Sequence, residues 1–199
     1  GLYGLYGYAV LAHEGKDISP SITWLIKMGP KKIIYKNVPD EYKSLLTEID
    51  LPQTCLSVYF VYTAFAINHG GFVDSACIPN TEVPDDTTKC ADGSEITAYL
   101  VGFKSGTFIG KVDDMKEAIL RFGPVWAVPG GLVVGWKDTN WITVESTYLS
   151  GSSYTLGTTP IITDGQYSGL AIFDGVSVVR AALSVIVAAV VLPALTLFF

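Results

Sequence analysis

Histidine and cysteine are scarce in this 199-residue chain: two imidazoles, His13 and His69, and three thiols, Cys55, Cys77 and Cys90. Scattered as they are, these side chains give none of the paired spacings that hold zinc, so no metal is expected. An odd cysteine count permits one intramolecular disulfide and leaves one thiol over. Positive charge is short as well. Lys and Arg total 13 against 19 Asp and Glu, a formal net charge of -6, and no basic cluster stands out. A nucleic-acid partner needs a positive face to neutralise phosphates, and that class is excluded. Charged residues make up only 16% of the chain and apolar ones 49%, which excludes a disordered polymer and supplies material for a core. No internal repeat is visible. The first residue is Gly1, without a Met or a signal-like opening, which reads as a processed or truncated edge.

What the chain has in excess is hydrophobicity, with a mean hydropathy of +0.39, and the excess sits at one end. Residues 181–199 carry no charge; a helix of that length reaches about 28 Å, close to the hydrocarbon thickness of a bilayer. Arg180 precedes the run, where it could snorkel to a membrane surface, and Pro193 falls near its end. The pattern predicts a C-terminal membrane segment over 176–199, with the membrane itself as a partner through 181–199. A cleaved lipid-anchor signal following the small pair Ser168-Gly169 is a second reading, and a buried helix is a third.

Residues 1–175 read as one α+β domain. Residues 4–14 form an apolar stretch suited to a buried helix. In 31–50, Pro39-Asp40-Glu41 marks a helix start, with Pro near the cap and acids in the first turn. The apolar run 55–68 ends at Asn68-His69-Gly70-Gly71, a helix stop. Residues 78–94, with two Pro, a Gly and several acids, are loop chemistry. The segment 113–122 has acids at its front, Arg121 at its back and apolar residues at helical spacing, closed by Gly123-Pro124. Beyond it, 125–128, 132–136 and 141–144 are short β-rich runs separated by Pro129-Gly130-Gly131 and Lys137-Asp138-Thr139-Asn140, which predicts neighbouring antiparallel strands. Two further β runs fall at 160–162 and 170–173.

Several of these segments, in this order, resemble the papain-like (cathepsin-type) cysteine peptidases. Residues 115–125, ending Gly123-Pro124-Val125, are similar to that family's helix running into Gly-Pro-Val. Leu132-Val133-Val134-Gly135-Trp136 and Trp141-Ile142-Thr143-Val144-Glu145-Ser146 resemble the strand with the catalytic His and the strand leading to Asn-Ser-Trp. Ser75-Ala76-Cys77-Ile78-Pro79 with Lys89-Cys90 is similar to the Cys-x-Pro-Tyr region. Residues 1–15 line up with the helix that opens on the nucleophile, and Ile18-Ser19-Pro20 with the turn after it. The resemblance implies a papain-like two-part fold, with a helical N-terminal half and an antiparallel β half, shortened, plus the C-terminal hydrophobic helix.

That family's reaction needs a thiolate at a helix start, an imidazole base, an Asn that orients it and donors for the oxyanion. Carried over by position, the nucleophile falls on Gly4, the His on Pro129 and the Asn on Glu145, while the oxyanion Gln would precede Gly1. The resemblance therefore implies a homologue without catalytic residues, a pseudopeptidase that binds peptides or protein partners and needs no cofactor. Tyr3, Tyr6, Tyr8, Trp126, Trp136, Trp141 and Tyr148 are candidate anchors, or simply core. Cys77 and Cys90 are the candidate disulfide, with two free thiols as the alternative. A bridge together with the tail would place the domain on the extracellular or lumenal, lysosome-like side of a membrane. Two other readings compete. In one, Cys55 is a relocated nucleophile in an active cysteine peptidase; in the other, the chain is a structural subunit of a membrane assembly. The bland readings are a buried or formerly bridged Cys55, a helix-end His69 beside the dipole, a partly buried His13 and a solvated Glu145.

Overall fold

The computed structural model describes residues 2–55, 62–147 and 153–175. The tail at 181–199, on which the membrane expectation rests, lies outside them. The fold is α+β, with four α-helices and a six-stranded antiparallel sheet among the described residues. The chain divides into two compact units, Tyr6–Gly102 and Gly1–Leu5 with Phe103–Phe199.

The first unit holds most of α1 (Leu2–Glu14), all of α2 (Ile22–Met28) and α3 (Thr63–Gly70), and a two-stranded ladder of β1 (Lys32–Ile33) with β2 (Ile49–Asp50). Weak helix formers make α1 helical because burial offsets propensity: Tyr6, Ala9 and Val10 are all core residues. Burial pushes the Tyr6 phenol above its ordinary value, partly countered by a hydrogen bond with Thr63. Helix α2 starts at Ser21, whose hydroxyl accepts from Trp24 N at 3.1 Å. At its other end the Gln53 amide donates to the carbonyls of Lys27 (2.7 Å) and Gly29 (3.1 Å), satisfying acceptors the helix leaves open. Trp24 Nε1 donates to Gly70 O at 3.1 Å, tying α2 to α3. Leu100 has a positive φ of 54 and gives its N–H to Glu14 Oε1 at 2.7 Å.

The helix expected to start at Pro39 is only a single 3-10 turn, Asp40–Tyr42. Residues 31–50 are half-buried or exposed throughout, so no apolar stripe has a surface to bury and nothing extends the turn. The loop at 78–94 is closed by the Cys77–Cys90 disulfide, as expected. It is organised by two side-chain turns: Asp86 accepts from Thr88 N at 2.8 Å, and Asp92 from Ser94 N at 2.9 Å.

The second unit is the sheet with one helix. Its strands β3 (Lys104–Gly110), β4 (Val125–Val128), β5 (Gly131–Lys137), β6 (Asn140–Thr147), β7 (Ser153–Pro160) and β8 (Tyr167–Phe173) take the order β3-β8-β4-β5-β6-β7. Helix α4 (Val112–Phe122) is where the sequence pattern placed it; Lys111 N donates to Asp114 Oδ2 at 2.7 Å at its start. Its apolar face, Met115, Ala118 and Ile119, packs on Val125, Val133, Trp141, Tyr167 and Ala171. One row of paired residues crosses all six strands on that face: Gly106, Ala171, Val125, Val133, Thr143 and Gly157. Beneath it Trp141 and Tyr167 meet edge to face at 5.6 Å between centroids, and the indole Nε1 donates to the Tyr167 hydroxyl at 3.0 Å. The strand expected at 160–162 lies earlier, at Ser153–Pro160, carried by Tyr and Thr rather than by isoleucine. Strand β3 had no counterpart in the sequence reading.

Candidate functional site

Gly4 lies in the first turn of α1, within the sheet-bearing unit. It is buried, and the space above its Cα is taken: a Cβ there would come 2.9 Å from Leu132 Cδ2 and 3.3 Å from Tyr154 Cε1. Tyr3 adds a stacked contact with Tyr154 at 6.5 Å. A side chain at this position would meet packed hydrocarbon. Leu132 is itself 3% exposed, so the methyl that fills the position is held in the core of its own sheet.

Pro129 stands exposed in the turn between β4 and β5. A tertiary amide ring has no proton to give or take there. Glu145 is exposed on β6, one residue past Val144, which pairs with Leu132. Adjacent strand residues point to opposite faces. The Glu145 side chain is therefore on the face with Thr143, and Leu132, Val144 and Tyr154 are on the face that meets Gly4. The three positions share one end of the sheet but do not converge on a point.

The remaining candidate groups are dispersed too. Cys55 is exposed in a turn and precedes residues outside the description; it does not open a described helix. His69 stacks on Phe65 at 3.8 Å between centroids, and its Nδ1 lies 3.0 Å from Phe65 O at the end of α3. Among the described residues no three His, Cys, Asp or Glu side chains are grouped to hold a metal. Trp141 and Tyr6 are core residues rather than exposed anchors; Tyr3, Tyr8, Trp126 and Trp136 are half-buried. Tyr148 lies outside the described residues.

The register brings together a group that sequence reasoning missed. Gly157, on the outermost strand β7, pairs with Thr143. A Cβ on Gly157 would lie 2.6 Å from Glu145 Oε1 and 3.3 Å from Thr143 Oγ1. The carboxylate thus occupies the notch where a side chain is missing. Thr143 is 3% exposed, and its hydroxyl has no hydrogen-bond partner among the described residues, an unusual state for a buried polar atom. The one signal in the sequence was a glycine inside a Thr-rich strand, Tyr154-Thr155-Leu156-Gly157-Thr158-Thr159, which marks close approach of another group.

No helix among the described residues is long and apolar enough to cross a membrane. Comparison with family models, with curated proteins and with solved structures finds no match to this chain.

Proposed function

We propose that this chain is a papain-like domain that has lost its peptidase chemistry and works by binding extended peptide or protein segments. In this reading residues 181–199 hold it at a membrane, with the domain on the extracellular or lumenal side. The order of the sequence segments supports the relationship, as does a helical unit followed by an antiparallel one. The Cys77–Cys90 bridge agrees with an oxidising compartment.

One observation carries the loss of chemistry: the nucleophile position is a glycine whose missing side chain is replaced by Leu132 and Tyr154. Removing the nucleophile or the base of such a pair lowers turnover on the order of a million-fold. Here both positions are empty of reactive groups. The test is hydrolysis of a quenched-fluorescence peptide library by the full chain in mild detergent, beside its Cys55→Ser variant. Equal, background-level signals are expected from both. Turnover by the native chain that disappears with Cys55→Ser would establish a relocated nucleophile and end this reading.

A further inference from the structure

We infer that the free edge of β7 receives an extended peptide segment bearing a lysine or arginine, whose cation meets Glu145 in the notch left by Gly157. The inference rests on the binding reading above and names the surface and the partner chemistry.

Strand β7 is last in the sheet, and among the described residues no strand lies outside it. Its outer edge therefore offers backbone N–H and C=O groups that no described strand pairs, a template for another strand. Edges are ordinarily blunted by charge or proline. Ser153–Pro160 contains no charged residue, and its only proline is the last position. The edge is accessible: Thr155 and Thr158 are exposed, and Leu156 is 67% exposed.

The notch supplies the selectivity. An added strand would set one side chain beside Gly157 on the face of Thr143 and Glu145. With no Cβ in the way, a long side chain reaches over the glycine to a carboxylate that has no cationic partner among the described residues, beside the buried Thr143 hydroxyl, which has no hydrogen-bond partner among them. Both groups accept hydrogen bonds, and lysine or arginine brings donors and charge together. A second copy of this chain would offer its own β7, which has no Lys or Arg to give Glu145. The net charge of -6 also steers toward a basic partner.

The probe is a labelled nonapeptide, Ser-Thr-Val-Thr-Arg-Thr-Val-Thr-Ser, titrated with the full chain in mild detergent and followed by fluorescence anisotropy. Its twins carry Glu at the centre or N-methyl groups on alternate amides. The Arg peptide is expected to bind at least tenfold more tightly than the Glu peptide. N-methylation should abolish binding on one edge of the peptide. Glu145→Gln should weaken the Arg peptide about tenfold and leave the Glu peptide no weaker. Gly157→Val should close the notch; if that variant does not fold by circular dichroism, the methylated peptide still decides. Absent binding, equal binding of Arg and Glu peptides, or indifference to both methylation patterns would overturn the proposal. So would a dimer in ultracentrifugation that excludes the peptide. Hydrolysis in the library assay would end the binding-only reading and leave these ratios standing. Flat ratios with an inert chain would end the edge site alone.

Discussion

Replacing Tyr167 by phenylalanine removes one oxygen from the centre of the sheet-bearing unit, and its consequences follow from what that oxygen does. It accepts from Trp141 Nε1 at 3.0 Å and from Ile162 N at 2.9 Å. Trp141 is 0% exposed, whereas Ile162 is 51% exposed. The Ile162 amide can turn to water, so its loss is a net hydrogen bond, about 1 kcal/mol. The indole N–H has no such recourse, and a buried donor left unsatisfied costs about 2 kcal/mol. Tyr167→Phe should therefore destabilise by about 3 kcal/mol, lowering the melting temperature by about 6–12 °C for a chain of this size. Trp141→Phe removes the other partner, so a double-mutant cycle should show a coupling of about 1–2 kcal/mol. Thermal and urea unfolding of the four proteins measure both quantities. A loss below 1 kcal/mol for Tyr167→Phe, or strict additivity in the cycle, would refute the assignment of an indole buried against that hydroxyl.

Two further outcomes concern the loop at 78–94. Substituting Cys77→Ala with Cys90→Ala opens a closed loop of sequence separation 13 and should lower stability by about 3 kcal/mol in the chain-entropy model, read by urea unfolding. In the same loop the Thr88 hydroxyl and amide hold the Asp86 carboxyl below its ordinary value, and those of Ser94 do the same for Asp92. A depressed folded value means these bonds favour the folded state above the unfolded aspartate range, near ~3.9. That contribution is lost as pH falls through the lower folded value. Carboxyl NMR titration should show both groups below that range, and Thr88→Val should restore Asp86 toward it.

Elements that depend on local chemistry were legible in the sequence. Helix α4 announced itself through Asp113 and Asp114 at its front, its apolar spacing and Gly123 at its end. The β4–β5–β6 meander announced itself through alternating β-formers and turn residues. Strand β3 was not legible because Gly106 and Gly110 interrupt a Lys-Ser-Gly-Thr run, and pairing with β8 rather than propensity makes it a strand. The apolar Ile161-Ile162 misplaced β7 because an edge strand needs no apolar residue on its solvent side. The helix expected after Pro39 had the right cap and no surface to pack on. At the site, the assignment of Gly4, Pro129 and Glu145 to the family's positions rests on segment order alone. The Leu132 methyl over Gly4 and the carboxylate over Gly157 could not be read from the sequence, since both follow from contacts set by tertiary structure. Parity across the Leu132–Val144 pair, which separates Glu145 from Gly4, is a property of register.

A domain that has lost its peptidase chemistry holds no thiol activated for acyl transfer, and the rate of alkylation at Cys55 decides whether this chain, as proposed, is one. Iodoacetamide labelling of the native chain at neutral pH, followed by mass spectrometry, should proceed no faster than labelling of N-acetylcysteine under the same conditions. Cys55→Ser should abolish it, because the other two thiols are bridged. Labelling of Cys55 a hundredfold faster than the small thiol, suppressed by replacing His13 or His69, would reveal a working cysteine–imidazole pair and contradict the account.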